Sequence, residues 1–487
     1  MNKALKNTIF YTIGSLAKAA ASFVLLPIYA NMLGTEQYGI YGILQPFSII
    51  LATFMTLATE RSIYRLYYDY KDNKKKTEFF STLFWTINIV SIVTIFLSIA
   101  FGKYIIPFLG DIDFSQVFIP VILYTYIMAL INFCQIAIQT EENGSAYLKI
   151  SMLYLVLYNI ITLSMLYFYS KSINSLVYAN LIANLIVFPY AFKFLYKKIK
   201  LVFNKQVLKS VIKYTSSMFL MIVFAWVLHT SDRLLIANRV SLSDAGVYSL
   251  AIKISTVVTL FSGAIFQSYT PYFYRIANTM SIVEAKIKLA RINTIIAYIV
   301  CSIIIFVSIV SKPLIDCLFD SNYKMSFTYL SIILLSITIS QTTGFFNVMI
   351  YQNKKTSSLS FITITAAILN WTLNYIFLPI YGTITAATVN IITSLILVGL
   401  TYILARRNYY ISSSNILKII LISFIALGAV NSTYIYVSRV WLSVTIILFI
   451  LLLWCYAPIK LQIVNIHTFN TIFNAVKSKI IISSKIF

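Results

Sequence analysis

Five ionisable residues stand where a strongly apolar chain offers charge little water: Lys18, His229, Asp232, Arg233 and Lys253. Each lies within an apolar run, and a charge at bilayer depth costs at least about 2.5–3.5 kcal/mol. Three of them, Lys18, Arg233 and Lys253, are cations able to hold an anion, arginine with a bidentate fork and lysine as a point charge. The other two, His229 and Asp232, are groups suited to exchanging a proton. His229, Asp232 and Arg233 follow i, i+3, i+4 spacing, which puts them on one helix face.

Two readings of these charges compete. Asp232 paired with Arg233 or Lys253 would act only as glue between helices. Alternatively, Lys18, Arg233 and Lys253 line a water-filled, net cationic cavity that accepts an anionic substrate, with His229 and Asp232 available for proton coupling. The cations outnumber Asp232, which favours the second reading. Glu60-Arg61 reads as an interfacial pair at the end of an apolar run.

The elements that position these residues are apolar runs of spanning length. Fourteen are expected, at about 8–31, 38–59, 80–101, 116–138, 148–168, 173–195, 211–238, 244–268, 293–311, 325–348, 358–378, 382–404, 416–436 and 440–457. All are too long for barrel strands. The fold class is therefore an all-α polytopic membrane protein. Lys18 falls near the middle of the first run. His229 and Lys253 lie nine residues either side of the turn between Asn238 and Asp244, at similar depth, roughly 13 Å in. Pro27 and Pro46 mark bends in the first two spans.

Composition agrees. The 487 residues are 60% hydrophobic and 11% charged, against about a quarter charged in soluble domains. The net charge of +24 suggests nucleic acid only until its distribution is seen. With both termini cytoplasmic, the outer segments hold only Lys103, Lys171, Arg233, Arg239, Lys312, Lys324 and Arg439. All other basic residues except Lys18 and Lys253 fall in inner segments. This is the positive-inside pattern. The start imitates a signal peptide, with Lys3, Lys6 and then Ala19-Ala-Ala21. Lys18 interrupts its apolar run, which continues to Ala30, so an uncleaved span is expected.

Enzymatic and metal chemistry find little support. There is no phosphate-binding G-x-x-x-x-G-K-[ST] loop and no H-E-x-x-H. The scattered Cys134, Cys301, Cys317 and Cys455 read as packing residues, and His229 and His467 cannot build a histidine metal site alone. No metal and no cofactor is expected. Asp111-Ile-Asp113 resembles a glycosyltransferase acidic pair but lies in a short outer loop. Short outer loops, at 102–115 and 312–324, also argue against a membrane glycan polymerase or ligase. Asn370 and Asn374 lie one turn apart; interhelical hydrogen bonding is their default, sugar hydroxyls the alternative. Many of the 36 tyrosines belong to interfacial belts, and others could stack on sugars.

The chain repeats itself. Ala30-Asn31 and Gly39-Ile40-Tyr41 recur 207 residues later as Ala237-Asn238 and Gly246-Val247-Tyr248, without a gap. Asn143, Asn180 and Leu185-Ile186 recur 210 residues later as Asn353, Asn390 and Leu395-Ile396. Six spans per repeat keep both halves in one orientation, so the pseudo-twofold axis runs along the membrane normal. The expected architecture is two parallel six-helix bundles around a central cavity, residues 1–210 and 211–408. Residues 409–487 add two further helices and a cytoplasmic tail, read from Ile459 as an interfacial helix.

Three motifs then suggest a family. Asp232-Arg233-Leu-Leu-Ile followed by Gly246-Val-Tyr-Ser-Leu-Ala-Ile-Lys253-Ile resembles helices seven and eight of the polysaccharide-type oligosaccharide flippases. So does Asn370-Trp-Thr-Leu-Asn-Tyr-Ile-Phe-Leu-Pro379-Ile-Tyr-Gly382-Thr-Ile-Thr-Ala-Ala, although Thr385 replaces the second glycine of the family's Gly-x-x-Gly-Ala-Ala pattern. Leu33-Gly-Thr-Glu-Gln-Tyr-Gly39-Ile-Tyr-Gly is similar to the family's first hairpin. The likeness spans about residues 5 to 457. These flippases belong to the multidrug/oligosaccharidyl-lipid/polysaccharide exporter superfamily. The resemblance implies alternating-access flipping of an undecaprenyl-diphosphate-linked oligosaccharide, most like an O-antigen repeat unit, across a bacterial cytoplasmic membrane. Membrane lipids and other polysaccharide-assembly membrane proteins are its implied partners, with no nucleic acid. A cation-coupled drug exporter of the same superfamily is the first alternative; it would favour an acidic cavity.

Overall fold

The computed structural model describes residues 3–70, 72–110, 112–352, 356–408, 411–437 and 439–460. The tail beyond Lys460, His467 included, lies outside them. Helices and turns account for every regular element among the described residues. The longer helices are α1 Lys3–Val24, α2 Leu26–Thr56, α3 Asn73–Ala100, α4 Ile119–Thr140, α5 Gly144–Phe168, α6 Ile173–Phe192, α7 Lys205–Arg239 and α8 Leu242–Thr279. They continue as α9 Ile282–Leu318, α10 Ser326–Ser340, α11 Thr343–Gln352, α12 Thr356–Tyr381, α13 Ile384–Asn408, α14 Ser414–Tyr436 and α15 Val440–Lys460. Each of the fourteen expected spans falls on this helical framework, and 12 described helices are long and apolar enough to cross a membrane. The chain is a multi-pass membrane protein.

The first hairpin is cut differently from the apolar pattern. The first expected span breaks at Leu25, with Pro27 in the opening turn of α2, where the missing N–H of proline is harmless. The turn between the first two spans is Gly34, at φ 70° and ψ 173° inside α2, a region essentially reserved for glycine. Side-chain caps start several helices. Asn204 accepts from the N–H groups of Gln206 and Val207 at 2.9 and 3.3 Å, and Asn143 accepts from Ala146 at 3.1 Å. Ser241 and Asp244 form a reciprocal capping pair at the start of α8: the Ser241 hydroxyl donates to Asp244 Oδ2 at 2.6 Å, and the Asp244 N–H donates back at 3.0 Å.

The contacts group the chain into two compact units. The first takes the chain up to Leu250 with Phe319–Tyr323 and Thr363–Ala386. The second takes Ala251–Leu318, Lys324–Ile362 and the described chain from Ala387 onward.

Within the first unit α6 packs on α4 and α5, α1 on α5, and α2 on α3, α4 and α7. Phe79, Phe80, Phe133, Cys134, Ile150 and Val211 form part of its core. Polar ties fix register: Asn7 donates to the Glu142 carbonyl at 2.7 Å and accepts from the Gly144 N–H at 3.1 Å. The segment Phe319–Tyr323 is held by the Tyr323 hydroxyl, which donates to the Ala30 carbonyl at 3.0 Å.

Within the second unit α9 packs on α10 and α14, and α14 on α15. The Asn431 amide oxygen accepts from Ser308 and Ser331 at 3.3 and 3.0 Å.

Candidate substrate cavity

Between α1, α2, α4, α5 and α6 of the first unit lies a cavity of about 270 Å³. Its wall carries Tyr29, Tyr41, Tyr124, Tyr154 and Tyr158, the amides Gln45, Asn159 and Asn180, the hydroxyls Ser22 and Ser48, and one charge, Lys18. No carboxylate lines it. The wall is pre-set by hydrogen bonds. Tyr29 donates to Asn159 Oδ1 at 2.8 Å, Tyr154 to Asn180 Oδ1 at 3.0 Å, and the Tyr124 and Ser48 hydroxyls are bonded to each other. Tyr154 and Tyr158, one turn apart on α5, lie with ring centroids 5.7 Å apart and planes within 2°. Lys18 is half-buried with Nζ 6.0 Å from the Tyr154 ring centroid, within cation–π range.

The other expected site residues do not line this cavity. His229, Asp232 and Arg233 share one face of α7, as their spacing predicts. Asp232 is buried and accepts the Tyr248 hydroxyl of α8 at 2.8 Å and the Arg233 backbone N–H at 2.8 Å. Half-buried Arg233 turns to α2, where Nη1 donates to the Gly42 carbonyl at 3.3 Å. The reason lies four residues on. Pro46 has no N–H, so the Gly42 carbonyl has no donor from its own helix, and the guanidinium of Arg233 takes that place. Trp226, two turns before Arg233, donates its indole N–H to the Pro46 carbonyl at 2.8 Å. Arg233 also donates to the His229 carbonyl at 3.5 Å, while the His229 side chain is exposed. Lys253 is half-buried on the part of α8 that belongs to the second unit.

Two expectations from spacing resolve locally. Asn370 and Asn374 are fully buried, and Asn374 donates to Asn370 Oδ1 at 3.0 Å. Glu60 is buried and Arg61 exposed, and the Arg61 charge still acts on the buried carboxyl. Burial pushes the Glu60 carboxyl above the usual carboxylate range, partly offset by hydrogen bonds from Thr56 and from its own backbone. The tyrosine wall itself was hidden among 36 tyrosines. Its one local signal was the i, i+4 pair Tyr154 and Tyr158, whose face could only be assigned once α4 and α6 were seen around it.

With this geometry in view, the chain matches the family model described as polysaccharide biosynthesis protein over residues 4–277. It belongs to that family. It is 23% identical over 349 residues to protein 1 of the Lsg locus of Haemophilus influenzae, covering 69% of this chain and 82% of that one. Its fold is that of a lipid II flippase, MurJ, in an inward closed conformation: TM-score 0.76, 16% identity, 94% of this chain and all of that one covered. An inward-facing multidrug resistance MATE family transporter of the MOP superfamily aligns with TM-score 0.66 at 12% identity over 80% of this chain and 94% of that one. Family and fold agree with the resemblance that the three motifs carried.

Proposed function

We propose that the protein flips an undecaprenyl-diphosphate-linked oligosaccharide, an O-antigen or similar surface-polysaccharide repeat unit, from the inner to the outer leaflet of a bacterial cytoplasmic membrane. The observation that carries this reading is the cavity wall: a single lysine, five tyrosines, and no carboxylate. A diphosphate cannot cross about 30 Å of hydrocarbon unaided, and a polar path with a fixed cation offsets the hydration it loses. A cation-coupled drug exporter would need the opposite charge in its cavity, so the carboxylate-free wall favours the glycan over the drug. In this reading both termini are cytoplasmic. The two bundles, residues 1–210 and 211–408, rock about the substrate, while the two helices within 409–487 stand outside the repeat. Lys18, Arg233 and Lys253 carry the substrate anion, and Asp232 with His229 offers a proton-coupling pair.

The test is deletion of the gene and chemical identification of the lipid-linked sugar that accumulates. Purified protein in liposomes should then move that lipid between leaflets without ATP and without making a glycosidic bond. A new bond formed by the protein alone would replace the transporter reading with the polymerase or ligase one.

A further inference from the structure

Resting on the flippase reading, we propose that the tyrosine-walled cavity of the first unit is a subsite for one pyranose ring bearing an anionic group. The ring packs on Tyr41, Tyr154 and Tyr158, and the anion faces Lys18.

Size sets the first limit. At about 270 Å³ the cavity lies just below the roughly 300–1,000 Å³ of pockets for drug-sized ligands. It has room for one sugar ring. Its chemistry sets the second. A pyranose has one face of C–H groups and an edge of hydroxyls. The C–H face is weakly positive and packs on the negative face of an aromatic ring. The near-parallel rings of Tyr154 and Tyr158 supply such faces. The hydroxyl edge needs donors and acceptors, and Gln45, exposed on the same wall, and Asn159 supply both kinds. A prenyl chain would set the exposed Gln45 amide against hydrocarbon. A cationic drug would meet Lys18 with no carboxylate in the wall to hold it.

Lys18 sets the third limit. Among the described residues no carboxylate forms an ion pair with it, and its ammonium stands over the Tyr154 ring. A ring carrying its own negative charge beside that ring plane completes the site, because a charge-assisted hydrogen bond is about twice as strong as a neutral one. Two parts of a lipid-linked glycan have this chemistry. One is the first sugar, joined to the diphosphate; the other is a uronic acid within the repeat unit.

The experiment uses the full chain in detergent micelles and three probes: glucose 1-phosphate, methyl glucuronide and methyl glucoside. Saturation-transfer NMR reads binding of each. At least one anionic probe is expected to bind roughly tenfold more tightly than methyl glucoside, and which one does so names the anion's source. Lys18→Gln should abolish that preference, with thermal unfolding in detergent checking that the variant is folded. Lys18→Arg should keep the preference, which rules out misfolding as the cause of its loss. Tyr158→Leu should weaken all three probes. Equal binding of charged and neutral rings, a preference that survives Lys18→Gln, or no saturation transfer from any probe would overturn the subsite. Export of glycan in a deletion strain is scored separately. Export that depends on the chain without ring preference refutes the subsite alone. Ring preference without dependence of export on the chain refutes the flippase reading and leaves a sugar-binding site.

Discussion

Gly39 and Gly246 hold the same place in the two copies of the repeat and meet each other at one helix crossing. A Cβ on Gly39 would stand 2.0 Å from the Leu242 carbonyl oxygen and 3.0 Å from the Gly246 nitrogen. A Cβ on Gly246 would stand 1.9 Å from the Thr35 oxygen and 3.0 Å from the Gly39 nitrogen. Thr35 and Leu242 are each four residues before their glycine, so the two sides are mirror statements of one contact. Gly42 and Ser249 repeat the relation one turn on, with a Gly42 Cβ 2.1 Å from Ser249 Oγ. The internal repeat thus has a physical centre, where small residues let two backbones touch. Because backbone oxygen cannot step aside, Gly39→Ala and Gly246→Ala should each destabilise the protein, by roughly 2 kcal/mol, and by similar amounts. Gly263→Ala on α8, where no described atom lies within 4 Å of the added methyl, should be neutral or stabilising. Thermal unfolding in detergent checks all three.

Asp232 offers a second test close by. Its carboxylate is buried with the Tyr248 hydroxyl at 2.8 Å. Tyr248→Phe removes that donor and keeps the ring, so the loss should be that of a hydrogen bond to a charged group, about 1.5–3 kcal/mol. In an Asp232→Asn background the same substitution should cost less. A double-mutant cycle on thermal stability reads the difference.

Much of the fold was legible because spanning helices announce themselves by length and apolarity. What hydropathy missed was backbone. The apolar run from residue 8 to 31 continues through the break at Leu25, where Pro27 was the mark, and the turn expected between the first two spans is a single residue, Gly34, inside α2. Likewise α7, α8 and α9 run well past their apolar stretches into polar sequence, since backbone hydrogen bonding does not require an apolar side chain. For the site, the sequence exposed the charges but not their partners. Arg233 looked like a cation awaiting an anion; its Gly42 acceptor becomes available only because Pro46 lies four residues further on in a different helix. Tyr29, Tyr41 and Tyr124 carried no mark separating cavity wall from interfacial belt.

Glu60 yields a prediction in pH. It is buried beyond the end of α2, and Oε2 has no hydrogen-bond partner among the described residues. Burial raises its folded-state carboxyl above the ordinary value of about 4.3. The folded protein therefore holds a proton that the unfolded chain releases, and stability falls as pH rises through the window above that ordinary value. Below the window both states are protonated and the effect vanishes. Glu60→Gln should raise the melting temperature at neutral pH and leave it unchanged near pH 4. A wild-type advantage at neutral pH would mean that the ionised carboxylate is stabilised in the fold.

Arg233 has a structural duty that any test of its transport role must separate. Its guanidinium supplies the Gly42 carbonyl with the donor that Pro46 withholds, at 3.3 Å. Arg233→Ala leaves that carbonyl without its donor and should cost roughly 1–3 kcal/mol. Pro46→Ala restores a helical N–H to the same carbonyl, so in that background Arg233→Ala should cost about 1 kcal/mol less. Transport should behave differently. If the arginine also meets the substrate anion, Arg233→Ala lowers surface glycan in both backgrounds at matched membrane levels. Lys253→Arg should keep more export than Lys253→Ala, and Lys253→Glu should keep least, because a carboxylate repels the diphosphate. Lys18→Ala should lower export as well. The measurements are surface glycan in a deletion strain and thermal unfolding of each purified variant. Recovery of normal glycan by Pro46→Ala in the Arg233→Ala protein, together with normal glycan from Lys253→Glu, would assign both charges to the architecture and leave Lys18 as the sole cation of the substrate path.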